Sequence, residues 1–408
     1  MAVLSAHHGI LRLPTRIYFG EGAVGSVPTL VSEIGARVFI CCDPGLARTA
    51  AFTRLCDELE YAGNSLAIWT DIEPELPIES VENAVENATL SGPQIILGYG
   101  GGSALDLAKL VALLMTHKGN LRQYYGENAV PGPTLPVIAV PTTAGTGSEV
   151  TPVAVVTDPD RDLKVGVSSP YLVPHSAVVD PGLTRGAPTD VIAHSGMDAL
   201  VHAIESFTSA IRAPAWSDPL PVFVGRNQLS RLLARDAVAS IAPNLVRAVQ
   251  DPGDARARAA MAYGSLLAGM AFGSAGTHLS HAIQYPIGAL TKTPHGLGTG
   301  LLLPHVLREF QPDIESDLAI LGELLGFVGT EADRATEMIL MTERIAIDIG
   351  LPRSLAEIGI VEEQFDLIVE RAGSIVRLAE NVAGQSPIGR IPRIVEAAWR
   401  GDRLLEER

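Results

Sequence analysis

The stretch PQIILGYGGGSALDLAKLVALLM, residues 93–115, decides the fold class predicted for the first half of the chain. Its beginning is a short apolar run of strand length, and ALDLAKLVALLM (104–115) has the character of a helix. Between them, Gly100, Gly101 and Gly102 allow backbone amides to approach a bound phosphate, and Ser103 can cap the helix. Strand, glycine loop and helix in this order predict one βα unit of a parallel sheet.

Similar patterns extend this unit in both directions along the chain. Further apolar runs of strand length are ARVFICC (36–42), SLAIWT (65–70) and LPVIAVP (135–141), and ESVENAVENATL (79–90) is helix-like. Strands that alternate with helices predict a parallel, Rossmann-like sheet. The stretch TPVAVVTDPDRDLKVGV (151–167) differs, because two β-rich runs flank a Pro-containing turn, and it predicts a hairpin.

The second half of the chain has a different character. Helical periodicity dominates from Val191 onward, as in ARAAMAYGSLLAGMAF (257–272) and ESDLAILGELLGFVG (315–329). The sequence therefore predicts an α/β nucleotide-binding domain over residues 1–185 and an all-helical, metal-binding catalytic domain over residues 186–408.

Composition excludes several classes of function. The formal net charge of -16 argues against a nucleic-acid partner, because phosphate backbones are bound by clustered Lys and Arg. The three cysteines, Cys41, Cys42 and Cys56, are too few and too close together for a disulfide framework. The N-terminus lacks the pattern of a signal peptide, and no apolar run is long and uncharged enough to span a membrane. We therefore expect a cytoplasmic protein with no membrane partner.

A second polar, glycine-rich loop strengthens the nucleotide signal. PTTAGTGSE (141–149) follows another predicted strand and offers the hydroxyls of Thr142, Thr143 and Thr146. Loops at the carboxyl ends of parallel strands converge on one crevice. Asp106 is placed in the first turn of its helix, where a carboxylate suits the helix dipole. One glycine loop alone fits a plain tight turn equally well, but the two loops together favour a bound nucleotide.

Asp43 indicates which dinucleotide is bound. It directly follows the strand 36–42, where a carboxylate can accept both ribose hydroxyls of the adenosine and repel a 2′-phosphate. This position predicts NAD rather than NADP. The alternative is an ordinary turn residue before Pro44.

One carboxylate and three imidazoles form the predicted metal site. Asp198 and His202 are four residues apart on a helix predicted from about Val191 to Phe207, so they share one face. His281 is expected on another helix that stops before Pro286, and His295 on a separate loop or helix start. This donor set suits Fe(II), Zn(II), Ni(II) or Mn(II). For any one of these histidines, a hydrogen-bonded structural imidazole is the alternative.

The chain resembles the iron-containing (group III) alcohol dehydrogenase family over essentially its full length. The matching stretches are LPTRIYFGEGAV, GGGSALDLAK, PTTAGTGSEVTP, VDPGLT, GMDALVHAIES and HAIQYPIGALTKTPHGLGTGLLLPHV. The resemblance implies a dehydroquinate synthase-like fold and a homodimer or larger homo-oligomer. It favours iron and implies that the metal ligands are Asp198, His202, His281 and His295. It also implies that Lys164 lies near the nicotinamide ribose.

The resemblance implies hydride transfer between NAD(H) and a primary or secondary alcohol, aldehyde or ketone. The chain departs from many family members at one position. Those members have a second histidine four residues after the one that matches His281, and this chain has Tyr285 there. The pattern is closer to the hydroxyacid–oxoacid transhydrogenase branch, so that activity and a 4-hydroxybutyrate-type dehydrogenase are alternatives. His278 and Tyr285 are the candidate proton relays, although His278 could also be a ligand or a mere neighbour. A dehydroquinate synthase-like lyase, which shares fold, NAD and metal, is the rival from another class.

Overall fold

The computed structural model describes residues 9–161, 163–212, 216, 220–402 and 405. These residues divide into two compact units. An α/β unit contains Arg12–Ala187 and residues 220–222, and a helical unit contains the described residues of 188–216 and 223–405 together with residues 9–11. Within the described residues, no helix is both long and apolar enough to cross a bilayer.

The α/β unit is built on nine strands and four α-helices among its described residues. The strands are β1 (Arg16–Phe19), β2 (Arg37–Cys42), β3 (Ser65–Trp69), β4 (Ile95–Gly100), β5 (Gly126–Glu127), β6 (Val137–Pro141), β7 (Val153–Asp158), β8 (Leu163–Ser168) and β9 (Ser176–Val179). The helices are α1 (Val27–Ile34), α2 (Ala50–Tyr61), α3 (Ile78–Ser91) and α4 (Gly102–Thr116). Short 3-10 helices lie at Ala23–Ser26, Leu121–Tyr124, Ser148–Val150, Pro159–Arg161, Pro170–Leu172 and Pro181–Thr184.

Six of these strands form one parallel sheet in the order β1-β9-β6-β4-β2-β3. The predicted parallel sheet is thereby confirmed, and β9, which the sequence patterns missed, completes it. The chain moves outward from β2 to β3 and then returns to the other side of β2 as β4. The order of strands therefore reverses between β2 and β4, and such a point is where open α/β sheets bind ligands.

Side chains of the central strands alternate between two cores. Phe39 and Cys41 of β2 pack with α3 and α4 residues on one face of the sheet, and Val38, Ile40 and Cys42 pack with α1 and α2 residues on the other. A strand that is apolar on both faces needs a helix layer on each side. This requirement explains why ARVFICC is uniformly apolar rather than alternating.

The predicted hairpin is also confirmed. β7 and β8 pair antiparallel from Val153↔Ser168 to Asp158↔Leu163, and β5 adds a short parallel strand beside β8. The carboxylate of Asp158 is fully buried beside the turn, where it accepts hydrogen bonds from the Arg122 guanidinium and the Tyr125 hydroxyl. The hydrogen bonds from Arg122 lower the pKa of Asp158 to about 2.

The helical unit contains ten α-helices among its described residues. They are α5 (Thr189–Thr208), α6 (Gln228–Ile241), α7 (Leu245–Gln250), α8 (Ala255–Ala275), α9 (Leu279–Thr291), α10 (His295–Leu324), α11 (Glu331–Asp348), α12 (Phe365–Ser374), α13 (Val376–Ala379) and α14 (Pro387–Arg400), with a 3-10 turn at Glu362–Gln364. Helix α5 is central, because it packs against α6, α7, α8 and α10. Its residues from Gly196 to Thr208 are all buried, so polar groups there need partners inside the protein.

Candidate active site

Three neighbouring strands of the parallel sheet carry the predicted nucleotide residues at their carboxyl ends. Asp43 follows β2, Gly101 and Gly102 follow β4, and Thr142 follows β6. The two loops are joined directly, since the Thr142 amide donates to the Gly100 carbonyl at 3.0 Å. The predicted convergence of the two loops within the α/β unit is therefore confirmed.

Two of the glycines are required by close neighbours. Gly100 has a φ of +156°, and a Cβ there would lie 2.7 Å from Asp43 Oδ2. A Cβ at Gly102 would lie 2.7 Å from Thr146 Cγ2. At Gly101 the nearest atoms to a Cβ are 3.6 Å away, an ordinary van der Waals distance, so neighbouring protein atoms do not require glycine at this position.

Asp43 also shapes the glycine loop itself. Its Oδ2 atom accepts a 2.9 Å hydrogen bond from the Gly101 amide. The carboxylate therefore fixes the turn after β4. The preference for NAD that Asp43 suggests stays a prediction.

Two local predictions in this segment are wrong by a few residues. The N-cap of α4 is Gly101, which has extended backbone angles, so Ser103 lies inside the helix and does not cap it. Asp106 lies in the second turn rather than the first, which contains no acidic residue. The cause is the glycine loop. The helix is already capped at Gly101, which has no side chain, and Ser103 comes two residues later.

The Asp106 carboxylate binds protein groups instead of the helix dipole. Oδ1 accepts a 2.5 Å hydrogen bond from the Ser148 hydroxyl, and Oδ2 accepts a 2.9 Å bond from the Val155 amide. Burial raises the pKa of Asp106, which the nearby Lys109 ammonium partly offsets. Asp106 therefore holds the second nucleotide loop and β7 against α4, and its assignment to direct cofactor binding stays a prediction.

Lys109 and Glu149 are buried beside this contact. The Lys109 ammonium is only 1% exposed and donates to the carbonyls of Thr151 and Val153 at 3.0 and 2.8 Å. Burial lowers its pKa to about 8. Burial also raises the pKa of Glu149 to about 7. Sequence patterns missed both residues, although Lys109 lies one turn from Asp106 in the same motif.

Lys164 lies on β8, where its ammonium forms an ion pair with the Glu75 carboxylate. Its side chain is 12% exposed. The structure thus accounts for the charge of Lys164 within the α/β unit, and its predicted place near a nicotinamide ribose is not tested by these contacts.

The four predicted metal ligands lie together in the helical unit. Asp198 and His202 project from α5 at positions four apart, and His202 Nε2 lies 3.8 Å from Asp198 Oδ2. The Nε2 atoms of His281 and His295 lie 3.9 and 3.8 Å from Oδ1 of the same carboxylate. One donor atom from each of Asp198, His202 and His281 lies within 4.8 Å of the others.

Each ligand comes from a helix whose position the core fixes. The His202 ring stacks on Phe272 of α8, with centroids 4.3 Å apart. His281 lies in the first turn of α9, and His295 is the first residue of α10, which is one of the two placements predicted for it. The prediction that the His281 helix stops before Pro286 is wrong, because α9 runs on to Thr291. The burial of α9 from Leu279 to Gly288 offsets the single backbone hydrogen bond that Pro286 removes.

The donors present fit a divalent transition-metal ion. His281 Nε2 is buried and has no hydrogen-bond partner among the described residues. An imidazole nitrogen in this state is costly unless it binds something else, and an ion meets that need. Three imidazoles with one carboxylate suit Fe(II), Zn(II) and related ions. Donor atoms about 2.0–2.2 Å from a common centre are separated by about 3–4 Å, and the three distances from the imidazoles to the Asp198 carboxylate lie in that range.

Electrostatics keep the site carboxylate ionised. Burial raises the pKa of Asp198, but the imidazoles of His202, His295 and His281 outweigh that effect and leave the pKa below its usual value. The Thr299 hydroxyl, one turn beyond His295 on α10, donates a 3.0 Å hydrogen bond to Asp198 Oδ1. Asp198 is therefore an oriented anion at the centre of the cluster.

Glu205 is the site residue that sequence patterns missed. It lies seven residues after Asp198 and three after His202, on the same face of α5, and is fully buried. Its Oε2 atom lies 2.7 Å from His281 Nδ1. The spacing of positions 198, 202 and 205 was the available signal, since residues three and four apart share a helix face.

The structure also places the two candidate proton relays. His278 is fully buried, with Nε2 2.9 Å from the Thr208 hydroxyl and Nδ1 3.1 Å from Glu205 Oε1. Tyr285 is 8% exposed, and its ring centroid is 6.0 Å from that of His295. His278 thus contacts Glu205, and Tyr285 lies beside a predicted metal ligand.

Comparison with protein families agrees with both halves of this description. A model for the iron-containing alcohol dehydrogenase family matches residues 14–181, and a model for its C-terminal domain matches residues 192–386. Together these matches span the parallel sheet and all four metal-ligand positions.

Individual relatives are similar over nearly their full length. The chain is 34% identical over 400 residues to long-chain-alcohol dehydrogenase 1 of Geobacillus thermodenitrificans, covering 95% of this chain and 96% of that protein. It is 33% identical to an NAD-dependent methanol dehydrogenase of Bacillus methanolicus, covering 88% and 92%. Among solved structures, a 1,3-propanediol oxidoreductase superposes with a TM-score of 0.89 at 31% identity, covering 96% of this chain and 100% of that one.

Proposed function

Because the chain belongs to the iron-containing alcohol dehydrogenase family, we propose that it is an oxidoreductase that moves a hydride between NAD(H) and a small alcohol or carbonyl compound. The observation that carries this proposal is the buried cluster of Asp198, His202, His281 and His295. One carboxylate and three imidazoles are donors that suit a divalent transition-metal ion. The name of the methanol dehydrogenase relative supports NAD as the hydride acceptor.

The residues of the helical unit would hold the cation, and iron is the ion that the family favours. When bound there, a divalent cation supplies Lewis acidity toward a hydroxyl or carbonyl oxygen. Asp198 contributes the negative charge, and its buried position keeps that charge close to the imidazoles. Burial of three of the four ligand residues below 6% exposure restricts water around them.

The loops of the α/β unit would hold the nucleotide. The first turn of α4 presents the backbone N–H groups of Gly102 and Ser103, and its positive end favours the pyrophosphate. Thr143 and Thr146 approach this turn, since they are the neighbours of Gly101 and Gly102. The hydroxyls of these two residues and of Thr142 would orient the phosphates and the nicotinamide. Asp43 would bind the adenosine ribose, and Lys164 would bind the nicotinamide ribose.

Tyr285 is the side chain we assign to proton transfer. Its phenol lies beside His295, and a tyrosine hydroxyl can both donate and accept a proton. His278 is less suited, because both its ring nitrogens face protein oxygens of Glu205 and Thr208. Tyr285→Phe should lower kcat and flatten the alkaline part of the pH profile, whereas an unchanged profile would exclude the relay.

The test of the function is a substrate panel with anaerobically Fe(II)-loaded protein. Methanol, long-chain alcohols, 1,3-propanediol, 2-hydroxy acids and 4-hydroxybutyrate are each mixed with NAD or NADP, and the absorbance of reduced nicotinamide is followed. The proposal expects NADH formation with at least one alcohol class. A protein that carries metal but reduces neither nicotinamide with any member would contradict it.

Transhydrogenation between a hydroxy acid and a keto acid is a second candidate, which Tyr285 favours because it replaces the usual histidine. Such an enzyme retains its nicotinamide between half-reactions, so no free NADH accumulates. Adding a deuterated hydroxy acid and an unlabelled keto acid to nucleotide-loaded protein distinguishes the two activities. Deuterium in the second product without released NADH would establish transhydrogenation.

A further inference from the structure

Glu205 joins the two helices that carry three of the metal ligands. It lies on α5, beyond Asp198 and His202, and its carboxylate reaches the start of α9. Its two oxygens accept hydrogen bonds of 2.7 Å from the backbone amides of His278 and Ser280. These amides belong to the N-terminal end of α9, where helical N–H groups need an acceptor from elsewhere.

The same carboxylate orients the ring of His281. His281 Nδ1 lies 2.7 Å from Glu205 Oε2. Since an ionised carboxylate is only an acceptor, the ring proton lies on Nδ1, and the Nε2 lone pair is left facing Asp198. A histidine in this state is a ready ligand, because the atom directed at the ion carries no proton.

The His278 ring lies against the carboxylate from the other side. The Thr208 hydroxyl donates to the Ile204 carbonyl at 2.8 Å, so it accepts from His278 Nε2–H at 2.9 Å. This contact fixes the ring with its Nδ1 atom 3.1 Å from Glu205 Oε1, a distance at which the two groups attract each other only when the imidazole carries both ring protons. Glu205 is thus surrounded by polar partners on both oxygens although it is fully buried.

We propose that Glu205 is a positioning residue for the metal centre, which fixes the tautomer and orientation of His281 and tightens the bound ion. This inference rests on the proposed metal site. Hydrogen-bond partners of metal-bound histidines raise ligand basicity, and losing one costs about 10–100-fold in metal affinity. Glu205→Gln is the direct test, because an amide cannot accept all the hydrogen bonds that the carboxylate accepts.

The experiment measures Co(II) affinity of metal-free protein by competition with a chelator, with the visible spectrum of bound Co(II) as a second readout. Asp317→Asn is the matched control: it also converts a buried carboxylate of the helical unit into an amide, but Asp317 pairs with Arg226 and Arg231. We expect Glu205→Gln to weaken Co(II) binding about 10–100-fold and shift its spectrum. Asp317→Asn should destabilise the fold and leave Co(II) affinity within about twofold of wild type.

Glu205→Asp keeps the inference testable if the amide variant does not fold. It retains the charge but withdraws it by one methylene, so we expect a Co(II) affinity between those of wild type and Glu205→Gln. Wild-type Co(II) affinity in either folded Glu205 variant would overturn the positioning role. If wild-type protein itself binds no Co(II), the proposed metal site fails instead, so the two failures are distinguishable.

Discussion

The metal-ligand cluster of the helical unit and the nucleotide loops of the α/β unit are built on opposite principles. The cluster is made of side chains, and each ligand comes from a helix that buried neighbours hold in place. The loops are shaped by the absence of side chains at Gly100 and Gly102, where a Cβ would collide with Asp43 or Thr146. The metal-ligand cluster therefore needs charged and ligating side chains, whereas the nucleotide loops need space for close contacts with the backbone.

Two buried carboxylates show the same contrast. Burial acts to raise the pKa of Glu205, but the imidazoles of His278 and His281 outweigh it and hold the pKa well below its usual range. Burial raises the pKa of Glu149 to about 7, although a backbone hydrogen bond and the charge of Lys109 each offset part of that effect. The imidazoles therefore keep the Glu205 carboxylate ionised, whereas the surroundings of Glu149 bring its pKa close to neutral pH.

Removing a metal ligand from the helical unit should have the largest effect of the changes considered. We expect His281→Ala to abolish stoichiometric metal binding and to lower kcat/KM by about 10²–10³-fold or more, as when a principal electrostatic group is lost from an active site. Metal content by elemental analysis and steady-state kinetics measure the two effects. The control is His305→Ala, which removes a buried histidine that lies on α10 and is not a predicted ligand. Full turnover by metal-free His281→Ala protein would refute the site.

Glu149→Gln tests the difference between the two carboxylates through the pH dependence of the free energy of unfolding. The folded pKa of about 7 lies above the ordinary value of 4.5. The folded state therefore binds more protons between these values, and wild-type stability from this group is lost as pH rises from 4.5 to 7. Relative to wild type, we expect the free energy of unfolding of the variant to rise by about 2–4 kcal/mol as the pH goes from 4.5 to 8. Urea unfolding at several pH values measures it, and a pH-independent difference would contradict the account.

The glycine loop offers a pair of variants that separates space for the fold from space for a ligand. Gly102→Ala should destabilise the protein by about 1–3 kcal/mol, because its Cβ meets Thr146. Gly101→Ala should leave the melting temperature unchanged, since its Cβ has room, yet weaken NADH binding as measured by fluorescence titration. Unchanged NADH affinity in Gly101→Ala would show that no pyrophosphate lies on this loop.

The smallest effect is expected for cofactor choice. Asp43→Asn keeps an acceptor for the Gly101 amide while removing the charge that would repel a 2′-phosphate. We expect the ratio of kcat/KM for NADP to that for NAD to rise about tenfold, which corresponds to about 1.4 kcal/mol. Asp43→Ala, which also loses the hydrogen bond to Gly101, should lower the efficiency with NAD as well. A wild-type enzyme that prefers NADPH would contradict the assignment of Asp43.

Sequence patterns predicted the parallel sheet, the hairpin and the shared helix face of Asp198 and His202 because each depends on local order. The run 36–42 is apolar on both faces, and Asp198 and His202 share a helix face whatever the rest of the chain does. The prolines and glycine between His281 and His295 predicted that the two residues lie on separate elements, and α10 does begin at His295. These features need no knowledge of distant contacts.

Features that depend on distant partners could not be predicted in this way. Glu205 meets His281 across 76 positions of sequence, and Asp106 meets Val155 across 49. Helix α9 continues past Pro286 only because neighbouring helices bury it, and local propensity argues the opposite. The position of β9 between β1 and β6 also depends on pairing that no local pattern encodes.

The most direct test of the account is an anaerobic titration of metal-free protein with Fe(II), in the presence of NAD and an alcohol that the substrate panel identifies. NADH formation is measured after each addition, alongside the same titration of His281→Ala. We predict that the rate rises from near zero and levels off at one Fe(II) per chain, while the variant stays inactive. Metal-free protein that already turns over at the plateau rate would contradict the claim that this cluster binds the catalytic ion.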